Sequence, residues 1–493
     1  MSEAFEIVKT GIDFFCSHLV FFNMLFAIVI VFFQRRDPKS VWAWLLLLYF
    51  IPVLGFVFYL LLGQDMHKRK MFRIKEVEDH ISKDIRQQEY RLRSRDVQEL
   101  DENIRGYEDL VMYNLEAGEA MLTKDNDVDI FIDGNEKFRA LMEDLRNAEH
   151  FIHIQYYIIK NDVLFNQIRD ILIEKAAQGV EVRVLFDAMG CRSVRHSFWR
   201  KLNEKGVQTA EFFPAILRRL QLRINYRNHR KIVVIDGTVA YTGGVNLADE
   251  YINQKERFGH WKDTAVMLKG EAVWNMTAMF LHMWNVITNN REDHSLEEYL
   301  PHVWHPEAFE GDGYIQPFCD SPLDNETVGE NVYLNIINRA KRYVYICTPY
   351  LVIDNEMMTA LCLAAKSGVD VRLMTPGIPD KKLVFLLTQS YYEQLLEAGV
   401  KIYEYQPGFL HAKSFVCDDE IAVVGTINLD YRSLYLHFED GVWIYRNQVI
   451  YDIKKDFTDT LEYCNPVSLE FCRGRNIAVR AMQSILRLFA PML

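Results

Sequence analysis

The sequence predicts an α/β chain of two similar half-domains, each a mixed sheet flanked by helices, behind an apolar helix pair at the N-terminus. Three observations carry this. One motif occurs twice with identical internal spacing, the same order of strand, helix and strand precedes each copy, and two long apolar runs open the chain.

The apolar runs come first. Phe14 to Phe33 is broken only by Ser17, His18 and Asn23, and Val41 to Leu62 carries Pro52 and Gly55. Each is long enough to span a bilayer core, which takes about 20 residues. A cleaved signal peptide fits poorly, because Glu3 and Glu6 precede the first run and a second follows directly. The reading is a two-helix transmembrane hairpin over residues 1–64, with spans at about 14–33 and 41–62. Both ends of such a hairpin lie on one side, so the rest of the chain shares the side of Met1. The connection carries Arg35, Arg36 and Lys39, whereas the other side carries Lys9, Lys68, Arg69, Lys70, Arg73, Lys75 and Lys83. Positive-charge counting puts the bulk of a multi-pass protein in the cytoplasm.

Residues 65–125 form a charged connector whose basic cluster suits anionic headgroups. From Asp127 short apolar strands alternate with amphipathic helices. Phe151 to Ile158 reads as a strand, Leu164 to Gln178 as a helix ended by Gly179, and Val180 to Phe186 as a strand. Tyr343 to Tyr350, Met357 to Ser367 before Gly368, and Val369 to Met374 repeat that order. The halves are 126–300 and 301–493, meeting near residues 290–315.

Composition narrows the class. A net charge of -12 argues against a general nucleic-acid binder, which needs a positive footprint. The eight cysteines are scattered with no C-x-x-C pair, the usage of a reduced compartment.

The repeated motif is H-x-K-x4-D-x6-G-(G/T)-x-N. Its first copy holds His229, Lys231, Asp236, Gly243, Gly244 and Asn246, and its second His411, Lys413, Asp418, Gly425, Thr426 and Asn428. Residues two apart on a strand share a face, so His229 projects with Lys231 and His411 with Lys413. Asp236 and Asp418 fall on the opposite face of a continued strand and read as supports. Asp236-Gly237-Thr238 and Asp418-Asp419-Glu420 look like turns, and if the two loop residues are Gly237-Thr238 and Asp419-Glu420, Asn246 falls opposite His229 and Asn428 opposite His411.

This doubled motif resembles the HKD motif of the phospholipase D superfamily, in which two copies from two similar half-domains meet at one active site. The resemblance is closest to bacterial cardiolipin synthases and covers the whole chain. It includes Arg35-Arg36-Asp37-Pro38, Trp42-Ala43-Trp44 and Pro52-Val53-Leu54-Gly55 near the N-terminus. It also includes Asn225-Tyr226-Arg227-Asn228-His229-Arg230-Lys231, Leu429-Asp430-Tyr431-Arg432-Ser433 and the ending Ala490-Pro491-Met492-Leu493.

The resemblance implies transfer of a phosphatidyl group between two phosphatidylglycerol molecules, giving cardiolipin and glycerol, at a bacterial cell membrane. It implies the HKD residues as the catalytic set: His229, Lys231, Asp236, His411, Lys413 and Asp418. One histidine attacks phosphorus to form a phosphohistidine and the other serves as acid, then base. The upstream motif usually supplies the nucleophile, although the near-symmetric sequence does not decide between His229 and His411. Lys231, Lys413, Asn246 and Asn428 would hold the phosphate oxygens as fixed donors. No metal or other cofactor is required. A carboxylate behind each imidazole would orient it, and Asp263 and Glu439 are the candidates, with a structural salt bridge as the alternative.

Two further stretches bear on lipid. Between Pro214 and His229 the first half carries an extra segment in which Arg218, Arg219, Arg223 and Arg227 interleave with apolar residues. It suits anionic headgroups, or else is a docked surface helix. In the tail, Ile477, Met482, Ile485 and Phe489 fall near helical spacing among Arg473, Arg475, Arg480 and Arg487. That helix either packs on the second half or meets the membrane. The rival functions are a phospholipase D making phosphatidic acid, a nuclease disfavoured by charge and spans, and a non-catalytic membrane scaffold disfavoured by two intact motifs.

Overall fold

The computed structural model describes residues 2–33, 38–62, 104–213, 226–288, 296–307, 309–323 and 326–492. Arg35, Arg36, the basic cluster from Lys68 to Lys83, and Arg218, Arg219 and Arg223 lie outside the described residues. The chain forms two compact units, one of N-terminal helices with the tail Ile477–Leu493, the other holding both sheets.

In the first unit α1 spans Ser2–Phe33, α2 Pro38–Phe50 and α3 Pro52–Leu62. The second apolar run is therefore not the single span expected over residues 41–62. Proline lacks the N–H that would bond the carbonyl four residues back, and its ring crowds the preceding turn, so the helix breaks at Pro52. Among the described residues no helix is long and apolar enough to cross a membrane. Ile30, Trp44, Leu47, Leu48 and Tyr59 make a small buried cluster, and Phe489 packs against it. The helix Ile477–Leu488 thus belongs with the N-terminal helices and not with the second half.

The second unit carries the duplication. Its first half supplies β1 Asn126–Phe131, β2 Phe151–Tyr156, β3 Glu181–Asp187, β4 Gln208–Phe212 and β5 Arg227–Asn228. It continues with β6 Ile232–Ile235, β7 Val239–Gly243, β8 His260–Lys262 and β9 Ala265–Gly270. The second half supplies β10 Tyr314–Asp320, β11 Tyr343–Cys347, β12 Leu351–Val352, β13 Asp370–Pro376, β14 Lys401–Tyr405 and β15 Gly408–Leu410. It ends with β16 Ser414–Cys417, β17 Ile421–Gly425, β18 Leu429–Asp430, β19 His437–Tyr445 and β20 Cys464–Pro466.

The first sheet runs β1-β9-β7-β6-β2-β3-β4, and the second β10-β19-β17-β16-β11-β13-β14 with β20 added at its edge. Strand for strand the orders coincide. In each, the strand-helix-strand unit read from sequence forms a parallel pair, β2 with β3 and β11 with β13, with the helices Val163–Ala177 and Asn355–Lys366 as crossovers. The HKD strands β6 and β16 pair antiparallel with those inner strands, so every residue of both is buried.

The motif turns are Asp236-Gly237-Thr238 and Asp418-Asp419-Glu420, as expected, but each is a three-residue loop and not the two-residue loop that would pair the histidines with the asparagines. Asp236 and Gly237 take φ of 50° and 67°, closed by Thr238 N–H to Ile235 O at 3.1 Å. Asp418 and Asp419 take 54° and 62°, with Glu420 N–H to Cys417 O at 3.0 Å. Asp and Gly tolerate this left-handed conformation, which a primed hairpin turn requires at both central positions. The paired residues are Ile235 with Val239 and Cys417 with Ile421. Asn246 and Asn428 lie beyond β7 and β17, so the expected cross-strand pairing with the histidines is not formed.

Both motif aspartates hold backbone. Asp236 accepts the N–H groups of Glu149, His150 and Phe151, each at 2.8 Å. Asp418 accepts those of Lys341, Arg342 and Tyr343 at 2.7 to 2.8 Å. Each clamps the start of the neighbouring inner strand, at the opposite end of its own strand from the motif histidine. We expect Asp236→Asn to lower stability by about 1.5–3 kcal/mol, the range for hydrogen bonds to a charged group, with kcat close to that of the parent. Thermal unfolding alongside turnover checks this, and loss of kcat in a well-folded variant would give the aspartate a chemical role.

Candidate active site

Two short parallel pairings join the halves. β5 lies beside the start of β19, with Arg227 opposite His437 and Asn228 opposite Phe438. β15 lies beside β8, with Gly408 opposite His260 and Leu410 opposite Lys262. The backbone continues each contact by one residue: His229 N–H donates to Phe438 O at 2.9 Å, and His411 N–H to Lys262 O at 2.7 Å. Each motif histidine is therefore delivered next to the carboxylate of the other half.

The side chains complete that exchange. His229 Nδ1 lies 2.8 and 3.0 Å from the Glu439 oxygens, and His411 Nδ1 lies 2.7 Å from Asp263 Oδ2. A carboxylate on Nδ1 fixes the tautomer that leaves Nε2 free. Glu439 also accepts from Ser433 Oγ at 2.6 Å, while Asp263 accepts from Thr264 N–H at 2.9 Å and Trp261 Nε1 at 3.4 Å. Gly244 makes room for Asp263: a Cβ there would sit 1.9 Å from Oδ1. The motif's second glycine is accounted for by that contact.

Both lysines are buried, and each donates to the carbonyl of its own motif histidine. Burial pulls Lys231 down to about 8 and Lys413 down to about 7, with nearby carboxylates opposing it. Burial likewise holds His229 near 3 and His411 near 4, so both rings rest neutral at pH 7. It works against the carboxylates too, but the facing imidazoles keep Glu439 and Asp263 below the usual range. The site thus gathers four desolvated nitrogen bases at one junction. A bound phosphodiester anion would raise all four nitrogen bases, so that a ring takes up from solvent the proton an acid needs.

The asparagines are placed differently. Asn246 Oδ1 accepts from Ile158 N–H at 3.1 Å and its Nδ2 donates to Tyr251 OH at 2.8 Å. Asn428 is also buried, and its N–H donates to Ser433 Oγ at 2.8 Å. Arg227 is buried with its guanidinium 3.5 Å from Asp187, inside the fold and not on a headgroup-facing surface.

Several neighbours were not read from sequence. Tyr157 packs its ring 5.1 Å from that of His229, Tyr251 lies 5.7 Å from His411, and Ser433 braces Glu439. His437 stands 5.5 Å from His229, ring to ring, and together with Glu439 these two place three donor atoms within 4.8 Å of one another. Among the described residues this is the group best able to accept a metal ion, although Glu439 already serves His229 there.

Two similar half-domains, with a doubled H-x-K-x4-D motif meeting across their junction, define a phospholipase D-type protein. The phosphatidylserine synthase of Haemophilus influenzae has this fold, with a TM-score of 0.56 over 74% of this chain and 92% of that one at 14% identity. The family described as cardiolipin synthase, PLD-like domain matches residues 141–284 and 333–461, and the phospholipase D-nuclease N-terminal family matches 21–64. A cardiolipin synthase of Listeria monocytogenes is 37% identical over 96% of this chain and 98% of its own. The major cardiolipin synthase ClsA of Bacillus subtilis is 38% identical over 96% and 97%. The chain belongs to the cardiolipin synthase family and is a phosphatidyltransferase of the phospholipase D superfamily.

Proposed function

We propose that this enzyme joins two phosphatidylglycerol molecules into cardiolipin and glycerol through a phosphohistidine. The observation that carries the reading is the crossed arrangement: two carboxylate-backed imidazoles and two buried lysines at one junction between the halves. The reaction is written with His229 as nucleophile, following the superfamily's upstream motif. Its Nε2 attacks phosphorus of the first lipid while His411 gives a proton to the departing glycerol oxygen. A second phosphatidylglycerol then gives its hydroxyl proton to His411 and its oxygen attacks phosphorus. The P–N bond breaks and His229 returns neutral. Lys231 and Lys413 neutralise the non-bridging oxygens, with Asn246 and Asn428 as further donors. Asp263 and Glu439 keep the rings aligned and stabilise the imidazolium forms.

A bilayer is the natural setting for such substrates. We infer that the apolar helices of the first unit hold the enzyme there, with the catalytic unit on the cytoplasmic side. Residues Arg218, Arg219 and Arg223 are assigned to headgroup attraction on their sequence alone.

The reaction exchanges one phosphodiester for another, so its free-energy change is small and no nucleotide is needed. Phosphatidylglycerol in detergent, without nucleotide or divalent metal, should give cardiolipin and free glycerol by mass spectrometry. Added glycerol should drive it backwards. A phosphohistidine is open to water as well, so the acceptor is chosen by excluding it. Phosphatidic acid as the main product, with cardiolipin absent, would sink the synthase reading in favour of a hydrolase.

A further inference from the structure

We propose that α2 and α3 form a re-entrant hairpin, dipping into the bilayer and leaving it on the side they entered. The inference rests on the lipid-substrate reading above. It replaces the two-crossing topology that the length of the apolar runs suggests.

The geometry begins at Pro52. In a continuous helix its N–H would bond Leu48 O, so the proline leaves that carbonyl without a helical partner. Asn23 of α1, itself buried, donates Nδ2 to Leu48 O and to Pro52 O, each at 3.1 Å. The chain then doubles back. A Cβ on Gly55 would lie 2.7 Å from Leu47 O and 2.8 Å from the Leu48 Cα, an approach open only to glycine. Farther from the corner, the rings of Trp44 and Tyr59 meet edge to face at 5.5 Å. A straight helix would separate those positions by about 22 Å. Phe26 of α1 closes the other side, 5.2 Å from Phe56 and 4.6 Å from Tyr59.

The outward surface says what surrounds this corner. Tyr49 is 80% exposed, Phe50 70%, Val53 57% and Leu54 49%, and no charged residue occurs from Ser40 to Leu62. An apolar tip of that size is unfavourable in water and suited to acyl chains. At 13 and 11 residues, α2 and α3 would reach about 20 and about 17 Å, short of a hydrocarbon core of about 30 Å. Broken backbone is tolerated at membrane depth only where protein satisfies its polar groups, which is what Asn23 does.

Charge gives independent support. Arg35, Arg36 and Lys39 precede the hairpin, and Lys68, Arg69, Lys70 and Arg73 follow it. Two crossings would put these clusters on opposite faces. A re-entrant hairpin puts both on one face, where the positive-inside tendency and anionic headgroups favour them. The sequence from 63 to 103 contains no apolar run of spanning length.

The test uses the full chain in cells, in a cysteine-free background that still makes cardiolipin, with Gln34→Cys, Gln64→Cys or Ile51→Cys added singly. Gln34→Cys and Gln64→Cys should both resist an impermeant maleimide on intact cells and react after permeabilisation. Ile51→Cys should resist in both conditions and react only once detergent removes the lipid. Labelling of Gln34→Cys from outside, with Gln64→Cys protected, would restore two crossings and overturn the proposal. So would labelling of Ile51→Cys in permeabilised cells, which would put the tip in water. Cardiolipin formation is read separately, so a one-sided labelling pattern in a chain that makes only phosphatidic acid would refute the synthase reading and leave the hairpin standing.

Discussion

Replacing His229 or His411 with alanine should each remove turnover, with kcat/KM falling on the order of 10⁵-fold or more. Both rings are buried at one junction and neither has a stand-in. His437 is the nearest other imidazole, but its own Nδ1 lies 3.5 Å from the same Glu439 that serves His229. A phosphodiester needs a nucleophile and a protonated leaving group in one encounter, so losing either function stops the cycle. Lys231→Ala should be milder, about 10²- to 10³-fold, because it removes one oxyanion donor from several. Steady-state rates on phosphatidylglycerol, with folding checked by circular dichroism, decide this. More than about 1% residual activity in either histidine variant would be incompatible with a two-histidine reaction of this kind.

The halves, their order of elements and the doubled motif could all be read from the chain, because each rests on local periodicity. Strands such as Val180 to Phe186 and helices such as Leu164 to Gln178 came within a residue or two of their observed limits. The turns at Asp236-Gly237-Thr238 and Asp418-Asp419-Glu420 were legible from residue type, but their three-residue length was not, so the pairing beyond them shifted by one residue. Asp263 and Glu439 could be picked out by type and position. Which carboxylate serves which histidine could not, since the partners are 148 and 210 residues apart in the chain. That exchange depends on β5 and β15, strands of two and three residues with no periodicity to betray them. The second apolar run misled for a related reason. Hydropathy reports how apolar a stretch is, while Pro52, Gly55 and the distant Asn23 decide whether it goes straight.

The crossed pairs set the last expectation. Asp263→Asn and Glu439→Gln should each lower kcat by about 10³- to 10⁴-fold while leaving the fold intact, as when a triad carboxylate loses its charge. An amide can present the wrong tautomer to Nδ1, and it cannot stabilise the imidazolium that forms when the ring takes up a proton. The structural signature is in which ring responds. Asp263→Asn should shift the ring-nitrogen NMR signals of His411, in the opposite half, more than those of His229, and Glu439→Gln should do the reverse. Gly244→Ala gives a third handle without touching a charged group. Its methyl would lie 1.9 Å from Asp263 Oδ1 and 2.8 Å from Cγ, so the carboxylate must move. A displacement of about 1 Å at a catalytic group costs about 10²-fold, and it should fall on His411. The matching position in the second half is Thr426, whose hydroxyl bonds Asp440 O at 3.2 Å and not Glu439. Thr426→Ala should therefore cost far less than Gly244→Ala. Full activity in Gly244→Ala, or a His229 response to Asp263→Asn, would mean that the exchange of carboxylates between the halves does not govern the chemistry.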